Sequence, residues 1–221
     1  MLIDAGKVLF LVVSALFPIV DPLTGSPIFL TLTRGYSPEM RRKLAFHVML
    51  DSFFLMLGSY FVGTHVLRLF VVSLPVVQVG GGLVVVFIGW TMLMRSDESS
   101  GDDTRRTMQP QDGVSRAFYP ITLPLTVGPG SISVAITLGA DTTPKYGIHI
   151  LTICAAILGM ALIALSIYLC YGFADRLARV IGETGMTVII RLSAFLLVCI
   201  GVQIVWNGVS ALLSSLWFQV H

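Results

Sequence analysis

The sequence predicts an all-α polytopic membrane protein: six transmembrane helices arranged as an inverted 3+3 repeat, the first helix of each repeat broken at a proline-rich motif. Three observations carry this. Of 221 residues, 55% are hydrophobic and 12% charged, against about 25% charged in soluble domains, and mean hydropathy is +0.88. The stretch Phe17-Pro-Ile-Val-Asp-Pro-Leu-Thr-Gly-Ser-Pro27 returns 102 residues later as Tyr119-Pro-Ile-Thr-Leu-Pro-Leu-Thr-Val-Gly-Pro129. Pro18/Pro120, Ile19/Ile121, Pro22/Pro124, Leu23/Leu125, Thr24/Thr126 and Pro27/Pro129 match without a gap, the mark of an internal duplication. Finally, three apolar spans lie on each side of one long polar stretch. An odd number per half makes the second half cross in the opposite direction, the plan of many secondary transporters.

Repeat 1 (1–95) begins with span 1, about residues 8–32, with no basic n-region or cleavage site behind it, so it reads as a span and not a signal peptide. Its motif places three prolines within ten residues. Each proline lacks a donor and clashes with the carbonyl one turn back, so one straight helix is excluded. Broken backbone survives in hydrocarbon only where protein covers it or a polar cavity adjoins it. Ser37-Pro38-Glu39 reads as the start of the next helix, a serine cap with proline at the first position. Span 2 covers about 44–63, a short connector holds His65 and Arg68, and span 3 covers about 76–94, opening with Gly80-Gly81-Gly82.

Residues 96–117 form a polar loop of mixed charge with no apolar periodicity. Repeat 2 (118–221) follows: span 4 at about 118–140 with the second motif, span 5 at 148–173, a charged and apolar stretch at 175–182 suited to the membrane surface, and span 6 at 186–213. His47 and His149 also lie 102 apart, and the third spans align after an insertion of about ten residues, pairing Phe87-Ile-Gly89 with Cys199-Ile-Gly201. Eleven of the 14 basic residues fall after spans 1, 3 and 5, and only Lys7, Arg68 and Lys145 on the other side. The positive-inside rule then puts the loop in the cytoplasm and both termini in the periplasm.

Within this frame the polar residues of the spans are the candidates for function. A carboxylate at mid-bilayer costs at least ~2.5–3.5 kcal/mol without a partner or a water cavity, so Asp21 demands an explanation. Two are open: it holds a cation, or it caps the half-helix that starts after the break. Thr24, Gly25 and Ser26 beside it, and Thr126, Gly128, Gly130 and Ser131 in the second motif, supply hydroxyls and bare backbone for a small substrate. Pro18, Pro22, Pro27, Pro120, Pro124 and Pro129 are the helix-break residues. The alternative for the threonines is bonding to their own preceding turn. His47 and Asp51, four apart, share a helix face and suit a proton relay or a packing pair. Gln78, Gln203 and Asn207 suit interhelical contacts better than ligand contacts. Cys154, Cys170 and Cys199, all in apolar runs, suggest packing and neither disulfides nor a metal site. There is no Gly-x-Ser-x-Gly turn, no zinc helix and no phosphate-binding loop, so the reading has no catalytic residues and no cofactor, and any transport is secondary.

Phe17-Pro-Ile-Val-Asp-Pro-Leu-Thr-Gly-Ser-Pro-Ile-Phe-Leu30, Leu123-Pro-Leu-Thr-Val-Gly-Pro-Gly-Ser131 and the Gly80-Gly81-Gly82 run together resemble the signatures of the MarC family, also called the SnatA family, across the whole chain. The resemblance implies six spans in the bacterial inner membrane, kinship with LysE-type exporters, and transport of small neutral amino acids such as glycine and alanine. In that family the position of Asp21 is often Asn or Asp, which fits a polar ligand better than an obligatory proton carrier. The expected function is thus a secondary transporter, in the exporter sense, with a lipid bilayer and a small molecule as partners. Proton or sodium coupling and a homo-oligomer are compatible with it, and nucleic acid is not. A non-transporting scaffold or sensor is the competing reading, with the polar loop as its interaction site.

Overall fold

The structure is a computed structural model that describes residues 2–33, 35–94, 117–146 and 150–220. All regular structure among them is helical: α1 (Leu2–Val20), α2 (Pro22–Leu32), α3 (Pro38–Leu69), α4 (Leu74–Met94), a π-helix (Ala117–Thr126), α5 (Pro129–Tyr146), α6 (Ile150–Gly172) and α7 (Ala174–Val220). Among the described residues, five stretches are long and apolar enough to cross a membrane: Asp4–Leu30, Pro38–Leu69, Leu74–Met94, Ile150–Gly172 and Thr187–Ser214. The sixth expected span, 118–140, is instead divided between the π-helix and a short apolar stretch, Pro129–Ala140. Of the expected polar loop only Ala117 is described, where it opens the π-helix, and His149 lies outside the described residues.

The expected cap at Ser37 is present: its hydroxyl accepts from Met40 N at 3.2 Å, with Pro38 opening α3. His65 and Arg68, expected in a connector, are instead helical, because α3 runs on to Leu69. No Gly or Pro lies between His65 and Phe70 to stop the helix, and the chain turns away only at Val71, at φ +56°. In α7, Gly182 leaves the helical region at φ 71°, ψ 170°, separating the surface-type stretch from the spanning part.

The core follows from helical spacing. Val8, Val12, Leu16 and Val20 recur every fourth residue on α1 and are buried, and Val12 meets Gly159 of α6. On α3, Val48, Ser52, Met56 and Tyr60 form a second buried row, with Tyr60 against Gly139 of α5. Thus α1 packs on α6, α3 packs on both α5 and α6, and α4 lies against α7 and α5. Small residues at every seventh position let α4 and α7 approach closely and antiparallel: Pro75 meets Gly208, Gly82 meets Gly201, and Gly89 meets Ala194. A methyl on Gly82 would stand 2.8 Å from the Gly201 carbonyl, so a larger residue would force the pair apart. Of the glycine run, Gly81 abuts Ser133 and Gly82 the α7 seam, whereas Gly80 faces open space. Gln203 and Asn207 bond each other along α7 at 2.9 Å and not across helices. The cysteines are unpaired.

Candidate functional site

The first motif breaks at one residue. Asp21 adopts φ +39° between α1 and α2, a left-handed conformation that Asp tolerates better than most side chains. Proline at the next position disfavours helical backbone at Asp21 and is itself well suited to the first position of α2. Pro18 and Pro27 lie inside helices, so the non-helical backbone precedes Pro22 and does not extend over 22–27 as expected. Asp21 is the cap: its Oδ1 accepts from Thr24 N at a long 3.4 Å, and its carbonyl accepts from Gly25 N at 3.1 Å. The Gly25 amide is therefore engaged and is not the free donor the sequence suggested.

The second motif breaks differently. Pro120 and Pro124 sit in the π-helix, where bonding skips to the fifth residue back. Thr122 Oγ1 donates to the Ala117 carbonyl (2.9 Å), Thr126 Oγ1 to the Ile121 carbonyl (2.8 Å), and Val127 N to the Thr122 carbonyl (2.8 Å). Helical structure lapses at Val127 and Gly128, and Pro129 opens α5. The amides of Gly130 and Ser131 fall in the first turn of α5, where a helix offers no acceptor of its own.

Between the two breaks lies a cavity of about 590 Å³, walled also by α4 and by Leu197 of α7. Asp21, Thr24, Gly25, Thr126, Gly128, Gly130 and Ser131 all line it. Ser26 does not: it is fully buried in α2, and its hydroxyl has no hydrogen-bond partner. Asp21 Oδ2 and Thr24 Oγ1 are likewise buried and unpartnered. Leaving such groups unmade costs about 1–3 kcal/mol each, more when charged. Capping thus employs one oxygen of Asp21 and leaves the other buried without a partner beside the cavity that Asp21 lines.

Thr24 and Thr126 align in sequence yet differ in bonding. Thr126 uses its one hydroxyl proton on Ile121 and lies 3.0 Å from Tyr171 Oη, so Tyr171 is the donor in that pair. Tyr171, on α6, is the residue the sequence did not single out. It is buried, stacks on Phe29 at 4.8 Å between ring centres, and brings its hydroxyl against Gly25, where any Cβ would collide with it. Nothing in the run Tyr168-Leu-Cys-Tyr171 marks it, and the only legible trace was Gly25 opposite Val127 of the other motif.

His47 and Asp51 share a face of α3 but are not hydrogen-bonded to each other, and neither lines the cavity. His47 Nδ1 sits 2.8 Å from the Lys43 carbonyl, which makes Nδ1 the protonated nitrogen. No group of His, Cys, Asp and Glu suited to a metal ion occurs among the described residues.

Comparison with known proteins gives one family. The description "MarC family integral membrane protein" matches residues 6–213. The chain is 30% identical to a protein named "UPF0056 inner membrane protein MarC" from Salmonella arizonae, over 97% of this chain and 99% of the relative. It is 27% identical to the protein of the same name from Escherichia coli O1:K1 / APEC, with the same coverage of each. No solved structure matches.

Proposed function

This chain belongs to the MarC family of integral membrane proteins, and on that premise we propose that it is a secondary transporter, an exporter, of small neutral amino acids in the bacterial inner membrane. The observation that carries the reading is the cavity between the two breaks, where Asp21 Oδ2 and Thr24 Oγ1 stand buried without partners. An α-ammonium group satisfies both. The substrate carboxylate faces the amides of Gly130 and Ser131, at the positive end of the α5 dipole. Ile28, Val85 and Leu197 give an apolar wall for a hydrogen, methyl or hydroxymethyl side chain. A charged side chain there would lose its hydration without gaining a partner. The reading involves no covalent chemistry.

Packing supports the inverted repeat that alternating access requires. Under the alignment of the third spans, Gly82 corresponds to Ala194 and Gly89 to Gly201. The contact Gly82–Gly201 then maps onto Ala194–Gly89, as a two-fold axis between α4 and α7 demands. Exchanging the halves likewise carries the α1–α6 contact onto the contact of the π-helix with α3, and α2–α6 onto α5–α3, and all four are present. The cavity lining continues to Leu32 and to Thr91 and Met92, near the ends of α2 and α4. Toward the start of α4, the groove is closed by α5: Ser133 Oγ donates to the Val77 carbonyl at 3.0 Å, and Gly130 abuts Val85. With the basic residues facing the cytoplasm, this is a cytoplasm-open state with the α4–α5 contact as the opposing seal.

The test is thermal stabilisation of the purified protein by a panel of amino acids. Glycine, alanine and serine should raise the melting temperature saturably, since ligand at 100 times its Kd stabilises by about 2.7 kcal/mol. Lysine and glutamate should not. Indifference to every small neutral amino acid, in binding and in proteoliposome efflux, would overturn the reading in favour of a scaffold or sensor.

A further inference from the structure

A second recess lies where the start of α3, the end of α6 and the start of α7 meet; it shares no lining residue with the first cavity and adjoins the breaks through Tyr171. Its volume is about 660 Å³, and its lining includes Arg41, Arg42, Lys43, Arg176 and Arg179 against only Glu39 and Asp175 of opposite sign. The acidic charge is already engaged in part: the Asp175 carboxylate pairs with Arg41. Arg41 is further held by the Tyr36 carbonyl through Nε and Nη2, at 3.3 and 3.2 Å. Arg179 Nε donates to the Asp175 backbone carbonyl at 3.1 Å.

Two cations remain that meet on one apolar group. The guanidinium of Arg42 lies 5.4 Å, and that of Arg176 5.7 Å, from the centre of the Phe173 ring. One ring attracts both by its quadrupole, but the like charges repel each other, and Lys43 adds to the repulsion. An anion bound in the recess offsets that excess positive charge, and arginine's planar donor fork suits phosphate oxygens.

We propose that this recess is a binding site for the phosphate headgroup of an anionic phospholipid. The choice of a lipid over a soluble phosphate rests on where the recess sits. It is at the end of the spanning part of α6, whose outer face carries Leu158, Leu162, Leu165 and Leu169, all exposed and spaced by three or four residues. That stripe leads into half-exposed Phe173. An acyl chain lying along it delivers the headgroup to Arg42 and Arg176, while Phe46, also exposed and lining the recess, flanks it on α3. Basic pockets between helices at the membrane surface suit such lipids, whereas scattered basic residues that only set orientation have no need of a shared recess.

The experiment uses the full chain in neutral detergent, with melting temperature and native mass spectrometry as readouts. Phosphatidylglycerol should stabilise saturably and remain bound one per chain, while phosphatidylcholine and inorganic phosphate at equal concentration should do neither. Arg42→Gln with Arg176→Gln should weaken phosphatidylglycerol binding by about tenfold or more, as expected for lost charge-assisted contacts. Arg68→Gln, at the far end of α3, should leave it unchanged, and Arg42→Lys with Arg176→Lys should fall between, since charge survives but the forks do not. Equal stabilisation by phosphatidylcholine, or undiminished binding by the double glutamine variant, would overturn the proposal. Stabilisation by inorganic phosphate alone would overturn the lipid in favour of a soluble anion. None of these readouts depends on the amino-acid site.

Discussion

The two proline motifs share six residues in register and yet break the chain at non-equivalent places. In the first, the break is at Asp21, before Pro22; in the second, it is at 127–128, before Pro129, whose counterpart Pro27 lies inside α2. The shared prolines create the need for a break but do not choose its site. The residue before each proline does. Asp21 accepts a left-handed backbone and caps α2, while Leu123 in its place does neither. Gly128 lacks the Cβ that crowds a following proline ring, while Ser26 in its place keeps one. One half therefore offers a carboxylate with a spare oxygen, and the other offers the open first turn of a helix.

The largest expected effect tests the packing that this difference imposes. Val127 fills the second motif at the position of Gly25, but at Gly25 a methyl would collide with Tyr171 Oη. Gly25→Ala should destabilise by about 1–3 kcal/mol, as overpacking does, and Tyr171→Phe should recover part of that loss in a double-mutant cycle. A Gly25→Ala protein as stable as the parent would mean that the Tyr171 hydroxyl does not stand against Gly25.

Next comes the carboxylate. Asp21→Ala should weaken amino-acid binding by roughly tenfold or more, about 1.4 kcal/mol, beside a stability loss of about 1–2 kcal/mol from placing Ala at φ +39°. Loss of the long 3.4 Å cap is offset by removing a buried oxygen without a partner. Isothermal titration of the folded variant decides this, and parental affinity would leave Asp21 as a cap alone.

The smallest effect separates the aligned threonines. Thr126→Val removes bonds to Ile121 and Tyr171 and should cost about 1 kcal/mol of stability, with a lesser loss of binding. Thr24→Val removes a hydroxyl without a partner, so stability should hold or rise while binding falls. Matching melting temperatures for the two variants would erase the distinction.

Much of this was legible in the residues themselves. Apolar runs located four spans to within about four residues, but the second runs six residues further at each end, and Pro120, Pro124 and Pro129 turned another into a π-helix and a short α-helix. The expected substrate-binding residues of both motifs, apart from Ser26, line one cavity, although the two motifs break at non-equivalent positions. The engaged Gly25 amide and the exclusion of Ser26 were not legible. Both depend on the break falling one residue before Pro22, which rotates the rest of the motif into ordinary helix.

The sequence by itself determined the membrane class, the recurrence of the proline motif, the need for breaks and the charged residue at one of them, because hydropathy, proline geometry and identity in register are local properties. Only the tertiary structure decided which oxygen of Asp21 stays free, which threonine is satisfied, and that Tyr171 of α6 reaches Gly25 and Thr126. It also decided that Arg42 and Arg176 share one phenylalanine across 134 residues of chain. Hydrogen bonds and ring contacts are made in space, between helices whose rotation about their own axes is set by packing against every neighbour at once.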